Sequence, residues 1–127
     1  MAKAVGVGGV FLKARDPKGL AAWYATHLGI QTQDGGTLVF EGPESAGATV
    51  FAHFPVDTGY FGSAAEPSPQ QFMVNFRVDD LDELVRQLAA AGVRIDPRPE
   101  DYPYGRFAWI WDPEGNRVEL WEPVPAG

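Results

Sequence analysis

The chain has 127 residues, of which 45% are hydrophobic and 13% aromatic. This is enough apolar residues to form the core of one folded domain, and it argues against a disordered chain. Its net charge of −7 without a basic run argues against nucleic-acid binding, and zero cysteines exclude disulfides, thiolate metal sites and cysteine nucleophiles. Because the first residues lack a signal-peptide apolar stretch and no apolar run approaches about 18 residues, we expect a cytoplasmic protein that does not bind membranes.

The first half of the chain predicts a strand, a helix and then shorter strands. Residues 7–14 form an apolar, strand-like run, and Asp16 with the proline after it has the residue types of a helix N-cap and first helical position. Apolar residues then recur at helical spacing until Gly29, a residue type that commonly ends helices. Strand-like runs follow at residues 37–40 and 48–54, and glycine-rich turns separate them.

A long irregular segment with several Gly and Pro residues follows the first half. A segment of this length inside one domain is either a linker between two halves or a functional loop. It carries two adjacent aromatic residues, Tyr60 and Phe61, which are either binding residues or packing anchors.

The second half repeats the order of the first. Residues 72–78 predict a strand, and Asp80 with Glu83 has the spacing of a capping box at the start of a helix that ends at Gly92. Three strands are predicted after this helix, at residues 93–95, 107–111 and 117–121. The turn before the last strand, Asp112–Asn116, contains Pro and Gly in favoured positions.

The two halves therefore predict the α+β class, with a strand–helix–strand–strand–strand module that occurs twice. Module one covers about residues 5–55, a linker about 56–71 and module two about 72–123, all within a single domain of residues 1–127.

Four motifs, in this order along the chain, resemble the vicinal oxygen chelate superfamily, which includes glyoxalases, extradiol dioxygenases and bleomycin-resistance proteins. The motifs are VFLKARD at residues 10–16, WYxxxLG at 23–29, FRVDDL at 76–81 and DPEGNxxEL at 112–120. The resemblance implies two βαβββ modules that form a cup-shaped, curved mixed sheet with the helices outside. It also implies that chains of this length pair as homodimers.

The resemblance bears on a metal site, because most enzymes of the family hold a divalent ion with two His and one Glu. The corresponding positions in this sequence are Gly9, Met73 and Glu119, so one ligand of three is present. Glycine has no side chain, and a methionine thioether is too soft for the usual hard ions. We therefore expect no metal and no other cofactor, although a divalent metal remains the disfavoured alternative.

Side-chain alternation along strands predicts which residues face the cup. If Pro55 is matched with Pro123, Phe51 and His53 share a face with Glu119 and Trp121. The ligand-binding residues predicted from alternation are Phe11, Lys13, Phe51, His53, Asn75, Trp109, Glu119 and Trp121, and Tyr104 and Arg106 near the Pro-rich loop are added as residues that would cover the cup mouth. Glu119 and His53 are also the candidate catalytic residues. Aromatic walls with a few polar groups are typical of a small-molecule site.

Three functions remain open from the sequence. The first is a protein that binds a small aromatic or hydrophobic molecule without metal, as in the bleomycin-resistance branch. The second is a glyoxalase-like enzyme, a lyase, isomerase or dioxygenase-like protein, in which Glu119 is a general base or a metal ligand. The third is a non-catalytic dimeric interaction module whose cup is filled by its own side chains. Resemblance of fold does not separate them.

Overall fold

A computed structural model of the chain describes residues 1–33, 35–40, 49–62 and 69–124. The elements are β1 (Ala4–Ala14), α1 (Pro17–Leu28), β2 (Gln31–Thr32), β3 (Thr37–Phe40), β4 (Thr49–Pro55), β5 (Phe72–Val78), α2 (Leu81–Ala90), β6 (Glu100–Tyr102), β7 (Gly105–Trp111) and β8 (Arg117–Pro123). This order confirms the α+β class and the repeated βαβββ module. Among the described residues, no helix has both the length and the apolar character needed to cross a membrane.

The chain divides into two compact units, and the boundary between them falls within β1. One unit, Gly8–Met73, contains most of module one and is called the module-one unit below. The other, Met1–Val7 with Val74–Gly127, is called the module-two unit. The sequence did not predict that the first seven residues belong with the second half of the chain.

The module-one unit has the strand order β2-β3-β4-β1, with β1 parallel to β4 and the other pairs antiparallel. Helix α1 begins as predicted: the Asp16 carboxylate accepts the backbone N–H of Gly19 at 3.0 Å. It ends at Leu28, where Gly29 adopts the left-handed conformation with φ 67°. Tyr24 projects from α1 onto the sheet, and this contact fixes which sheet face lies under the helix.

The module-two unit has the strand order β5-β8-β7-β6, and α2 covers one face. The core under α2 consists of Ala2, Val78, Leu81, Leu84, Ala108 and Leu120. The N-terminal segment completes this core, because the Ala2 N–H donates to Gln87 Oε1 at 2.8 Å and the Lys3 N–H donates to Asp79 Oδ1 at 2.8 Å.

Most of the helix and strand predictions for the second half of the chain agree with the structure. Asp80 caps α2 by accepting the Glu83 N–H at 3.1 Å, but the Glu83 side chain pairs with Arg86 at 2.7 Å instead of closing the capping box. The strand predicted at 93–95 is only an isolated bridge between Ile95 and Ile110. Strand β6 forms instead in the Pro-rich segment that follows.

Candidate functional site

Glu119 is a buried carboxylate at the centre of the module-two sheet. Its neighbours in register are Asn75 on the parallel strand β5 and Trp109 on the antiparallel strand β7. Its Oε1 accepts a hydrogen bond from Asn75 Nδ2 at 2.5 Å, and its Oε2 accepts one from Trp109 Nε1 at 2.9 Å. The residue is 1% exposed, so these donors replace water around a charge that is costly to bury.

This face of the sheet is opposite to α2. Leu120 and Ala108 lie in the core under α2, and side chains alternate along strands, so Glu119 and Trp109 point to the other side. Trp121 shares their face. The structure thus brings together four of the predicted site residues, Asn75, Trp109, Glu119 and Trp121, on one sheet face, which we call the Glu119 face.

Aromatic rings extend the Glu119 face towards the exposed end of β6 and β7. Trp121 is stacked on Phe107 with nearly parallel rings whose centroids are 6.0 Å apart. Tyr102 and Tyr104 stack on each other at 5.3 Å, and both meet Phe107 edge-on. Tyr104 is 61% exposed, so the strip of rings runs from solvent to the partly buried indole of Trp121. Such rings present a stacking surface to planar or apolar molecules.

Two further contacts hold this strip in place. The Tyr102 hydroxyl donates to the Glu100 carboxylate, and this hydrogen bond is the main reason that the pKa of Tyr102 is raised. The Trp121 indole lies on Gly105, where any Cβ would overlap its Nε1. Glycine is therefore required at Gly105 for the close approach of the indole.

A buried ion pair supports the other end of the Glu119 face. Arg117 Nη1 lies 2.9 Å from Asp96 Oδ2, and both side chains are 7% exposed. The Arg117 guanidinium is 5.1 Å from the ring centres of both Trp109 and Trp111, and that of Arg94 is 4.0 Å from Trp111. Arg117 was not among the predicted site residues, although its position two residues before Glu119 on β8 places it on this face.

The pKa of Asp96 reflects two opposing effects. Burial favours the neutral carboxyl group, but hydrogen bonds from Arg117 and from the Arg98 backbone N–H outweigh it. The net result is a lowered pKa, so Asp96 is a carboxylate at neutral pH and balances the charge of Arg117.

Phe11 and Lys13 lie in the module-one unit on the sheet face opposite to α1, as predicted. Aromatic residues fill the space around them. Phe54 contacts Phe11 at 5.6 Å and stacks on Tyr60 at 5.0 Å, and Phe61 lies 5.5 Å from Lys13 Nζ with 0% exposure. The connector aromatics Tyr60 and Phe61 are therefore packing anchors of this unit.

The predicted orientation of Phe51 and His53 is wrong. Both contact Tyr24 of α1, with ring centroids 4.9 Å and 5.7 Å away, so they lie on the α1 face of their sheet. The match of Pro55 with Pro123 was displaced by one residue, and such a slip turns every side chain of a strand to the opposite face. The predicted grouping of His53 with Glu119 therefore fails.

His53 has a defined tautomer in its actual position. The Gly36 carbonyl accepts both its backbone N–H at 2.8 Å and its Nδ1–H at 2.9 Å. Since a carbonyl only accepts hydrogen bonds, Nδ1 carries a proton. Nε2 is buried and has no hydrogen-bond partner among the described residues.

Arg106 also lies elsewhere than expected. It forms a bidentate pair with Asp82 of α2, at 2.8 Å and 3.0 Å, and a third contact with Asp101 at 3.2 Å. These bonds raise the pKa of Arg106 above its ordinary value, chiefly through Asp82. Its side chain is therefore on the α2 side of β7, whereas the predicted role needed the face of Glu119.

The residues at the three family ligand positions do not fit a metal ion. A Cβ at Gly9 would lie 2.5 Å from the Val50 carbonyl oxygen, Met73 is fully buried, and both oxygens of Glu119 already accept N–H donors. Within the described parts of the chain, no group of three or more His, Asp or Glu side chains could hold an ion.

The fold and the Glu119 face define a protein of two βαβββ modules, one of which carries a carboxylate among aromatic rings. The sequence model of the Glyoxalase/Bleomycin resistance protein/Dioxygenase superfamily matches residues 6–120. The chain therefore belongs to this superfamily.

Curated relatives and solved structures agree with this assignment. The chain is 38% identical over 69 residues to CFP32 of Mycobacterium tuberculosis and of Mycobacterium bovis, a protein provisionally named a glyoxylase. This match covers 50% of the chain and 26% of the relatives, so the chain spans about a quarter of their length.

Among solved structures, methylmalonyl-CoA epimerase from Mycobacterium tuberculosis is similar with a TM-score of 0.66 and 24% identity, over 96% of this chain and 90% of that one. A Streptomyces coelicolor methylmalonyl-CoA epimerase has a TM-score of 0.71 and 15% identity, over 97% and 100%. A superfamily member from Vibrio splendidus has a TM-score of 0.58 and 12% identity, over 96% and 99%. At these identities the likeness concerns the fold.

Proposed function

We propose that this superfamily member binds a small aromatic or hydrophobic molecule on the Glu119 face of module two. The observation that carries the proposal is the carboxylate of Glu119, held within β8 by donors from the two adjacent strands at 1% exposure. A protein core gains little from a buried carboxylate, whereas a binding face uses one to orient a ligand. Its surroundings of indole and phenol rings supply the stacking surface.

Asn75 adds a second polar feature to the same face. Its Nδ2 donates to Glu119, while its Oδ1 is buried and has no hydrogen-bond partner among the described residues. An unsatisfied buried acceptor costs about 1–3 kcal/mol, which a ligand N–H or O–H would recover. The ligand we propose is therefore planar or apolar and carries at least one hydrogen-bond donor.

The proposed function uses no metal or other cofactor. Support comes from the donor set, because Gly9 and Met73 supply no hard ligand and the oxygens of Glu119 are already hydrogen-bonded. The contacts of the ligand would instead be stacking and hydrogen bonding.

An enzyme is the second candidate. The names of the similar proteins, an epimerase and a glyoxylase, are those of catalysts, and a buried carboxylate is a common general base. In such a reaction an oxygen of Glu119 would take a proton from the carbon beside a carbonyl group. The electron pair would move to the carbonyl oxygen, and return of a proton to carbon would complete an isomerisation.

The third candidate, an interaction module, finds support in module one. There the face opposite α1 is filled by Phe11, Phe54, Tyr60 and Phe61, which leaves the Glu119 face as the better place for a ligand.

We also propose, from the family resemblance, a cytoplasmic homodimer. Light scattering would then give about twice the chain mass of 13.8 kDa, and a monomer would contradict it.

The test is a thermal-shift screen of the purified chain against a panel of aromatic compounds, repeated with Glu119→Gln. The substitution keeps the shape and removes the charge, so we expect compounds that stabilise the wild-type chain to lose most of their effect. Glu114→Gln, which removes the same charge from an exposed turn, is the matched control and should respond as wild type. If Glu119→Gln also responds as wild type, Glu119 does not bind the ligand.

Turnover separates the first two candidates. If a stabilising compound is chemically converted by the wild-type chain and not by Glu119→Gln, the protein is an enzyme. If the compound is recovered unchanged, the protein is a binding protein.

A further inference from the structure

A groove on the module-one unit lies beside the first half of α1 and has a volume of about 590 Å³. Both polar and apolar residues line the groove. They are Ala14, Arg15, Asp16, Gly19, Leu20, Trp23 and Tyr24. The volume is within the range of roughly 300–1,000 Å³ that is usual for small-molecule sites. None of these residues belongs to the Glu119 face.

The apolar part of the groove contains an exposed tryptophan. Trp23 is 52% exposed, and its ring meets Tyr24 edge-on at 5.2 Å and His27 at 4.9 Å. Leu20, one helical turn earlier, is partly buried on the same side. A large exposed aromatic beside other apolar groups is a typical contact surface for a ligand.

The polar part of the groove carries the guanidinium of Arg15 beside the carboxylate of Asp16. Arg15 is exposed and forms no hydrogen bond or ion pair with any residue that the structure describes. The neighbouring Asp16 carboxylate is occupied by the Gly19 N–H, and the first turn of α1 contains Lys18 and no acidic residue. The guanidinium of Arg15 is therefore available to an anionic ligand, although the net charge of the chain is −7.

A comparable groove on the module-two unit lacks this property. It has a volume of about 490 Å³ and is lined in part by Asp82, Arg86, Asp101 and Arg106. There, Arg106 is paired with Asp82 and Asp101, and Arg86 is paired with Glu83. The chain itself balances those charges, so a ligand would have to displace an ion pair.

We infer that the module-one groove binds an amphipathic anion, a carboxylate or sulfonate with an apolar body. The guanidinium of Arg15 matches the two oxygens of such a head group, which it can bind with two parallel hydrogen bonds. The apolar body would lie against Leu20 and Trp23. This site is independent of the proposed function, because it is in the other unit and selects the opposite ligand polarity.

The experiment compares two probes with the same eight-carbon tail and opposite head charges, octanoate and octyltrimethylammonium, by isothermal titration calorimetry. We expect octanoate to bind with one site per chain and a dissociation constant below about 10 mM, and the ammonium probe to bind at least about tenfold more weakly. In parallel NMR spectra, octanoate should shift the Trp23 indole N–H signal.

Variants decide whether Arg15 is responsible. Arg15→Gln should weaken octanoate binding by about tenfold, the effect of losing one exposed charged hydrogen-bond partner. Arg98→Gln removes the same charge from an exposed loop of the other unit and should leave binding unchanged. Because Arg15 is exposed and has no partner in the described chain, its substitution should not disturb folding, which circular dichroism will verify.

Several results would overturn the inference: no octanoate binding in this range, equal binding of both probes, or unchanged binding by Arg15→Gln. Glu119→Gln distinguishes the two sites. If that variant changes octanoate binding while Arg15→Gln does not, the anion binds the Glu119 face and the module-one groove is not its site.

Discussion

Asp96→Asn should destabilise the protein strongly although it changes only one atom. Asp96 Oδ2 accepts a hydrogen bond from Arg117 at 2.9 Å, and its Oδ1 accepts the Arg98 N–H at 2.9 Å. The amide of the variant can keep the bond to Arg98 through its oxygen. Its NH₂ group then faces the guanidinium of Arg117, so a donor replaces an acceptor and a positive charge loses a buried carboxylate.

The magnitude follows from the burial of the pair. Breaking a buried pair typically costs about 3–5 kcal/mol. We expect the lower end, about 3 kcal/mol, because the bond to Arg98 survives and the rings of Trp109 and Trp111 still face the guanidinium. For a chain of 127 residues this corresponds to a fall in Tm of about 10–15 °C.

Urea unfolding followed by tryptophan fluorescence will measure the loss of unfolding free energy. The matched control is Asp82→Asn, which breaks the exposed pair with Arg106, whose side chains are 58% and 40% exposed. It should cost about 0–1 kcal/mol. A loss below about 1 kcal/mol for Asp96→Asn, similar to this control, would refute the claim that the buried pair stabilises the unit.

The same comparison has a predictable pH dependence. The pKa of Asp96 is lower in the folded protein than the ordinary aspartate value of 3.8, so the folded state favours the carboxylate. The stabilisation is therefore fully present above pH 3.8 and is lost as the pH falls through the lower, folded-state pKa. The stability difference between wild type and Asp96→Asn should shrink below that pH.

Two smaller changes test the packing and the caps. Gly9→Ala should cost about 1–3 kcal/mol in urea unfolding, because its Cβ would lie 2.5 Å from the Val50 carbonyl oxygen, whereas Gly59→Ala, with no atom within 4 Å, should not destabilise; equal behaviour would contradict the close approach at Gly9. Asp80→Ala should cost about 1 kcal/mol by removing the N-cap of α2, and an unchanged Tm would show that the cap does not stabilise the helix.

Features that depend on a few neighbouring residues could be predicted from the sequence. Asp16 and Asp80 cap their helices as expected, because a cap depends on one side chain and the backbone three residues later. The turn at 112–116 also formed, since Asp112 accepts the N–H groups of Glu114 and Asn116 at 2.9 Å. The grouping of Glu119 with Asn75 and Trp109 was predicted from the family resemblance, which places Glu119 in the cup, together with strand alternation.

Features that depend on contacts between distant segments could not be predicted from the sequence. The orientation of His53 depends on which residue of β4 faces α1, and apolar residues occupy both faces of that strand. Arg106 was expected among the ligand-binding residues, but its position on β7 favours the carboxylates of Asp82 and Asp101. Nothing in the local sequence showed that Ala2 would complete the core of module two.

The packing of Ala2 has a consequence for any attempt to divide this protein into its halves. Ala2 is 7% exposed beneath α2, and its backbone makes hydrogen bonds in both directions with the Gln87 side chain. A recombinant fragment that begins at residue 72 would lose these contacts and expose Gln87 and the neighbouring core to water. A circular permutant in which residue 127 is joined to residue 1 would retain them. The module-two unit is thus built from two segments that are far apart in the sequence.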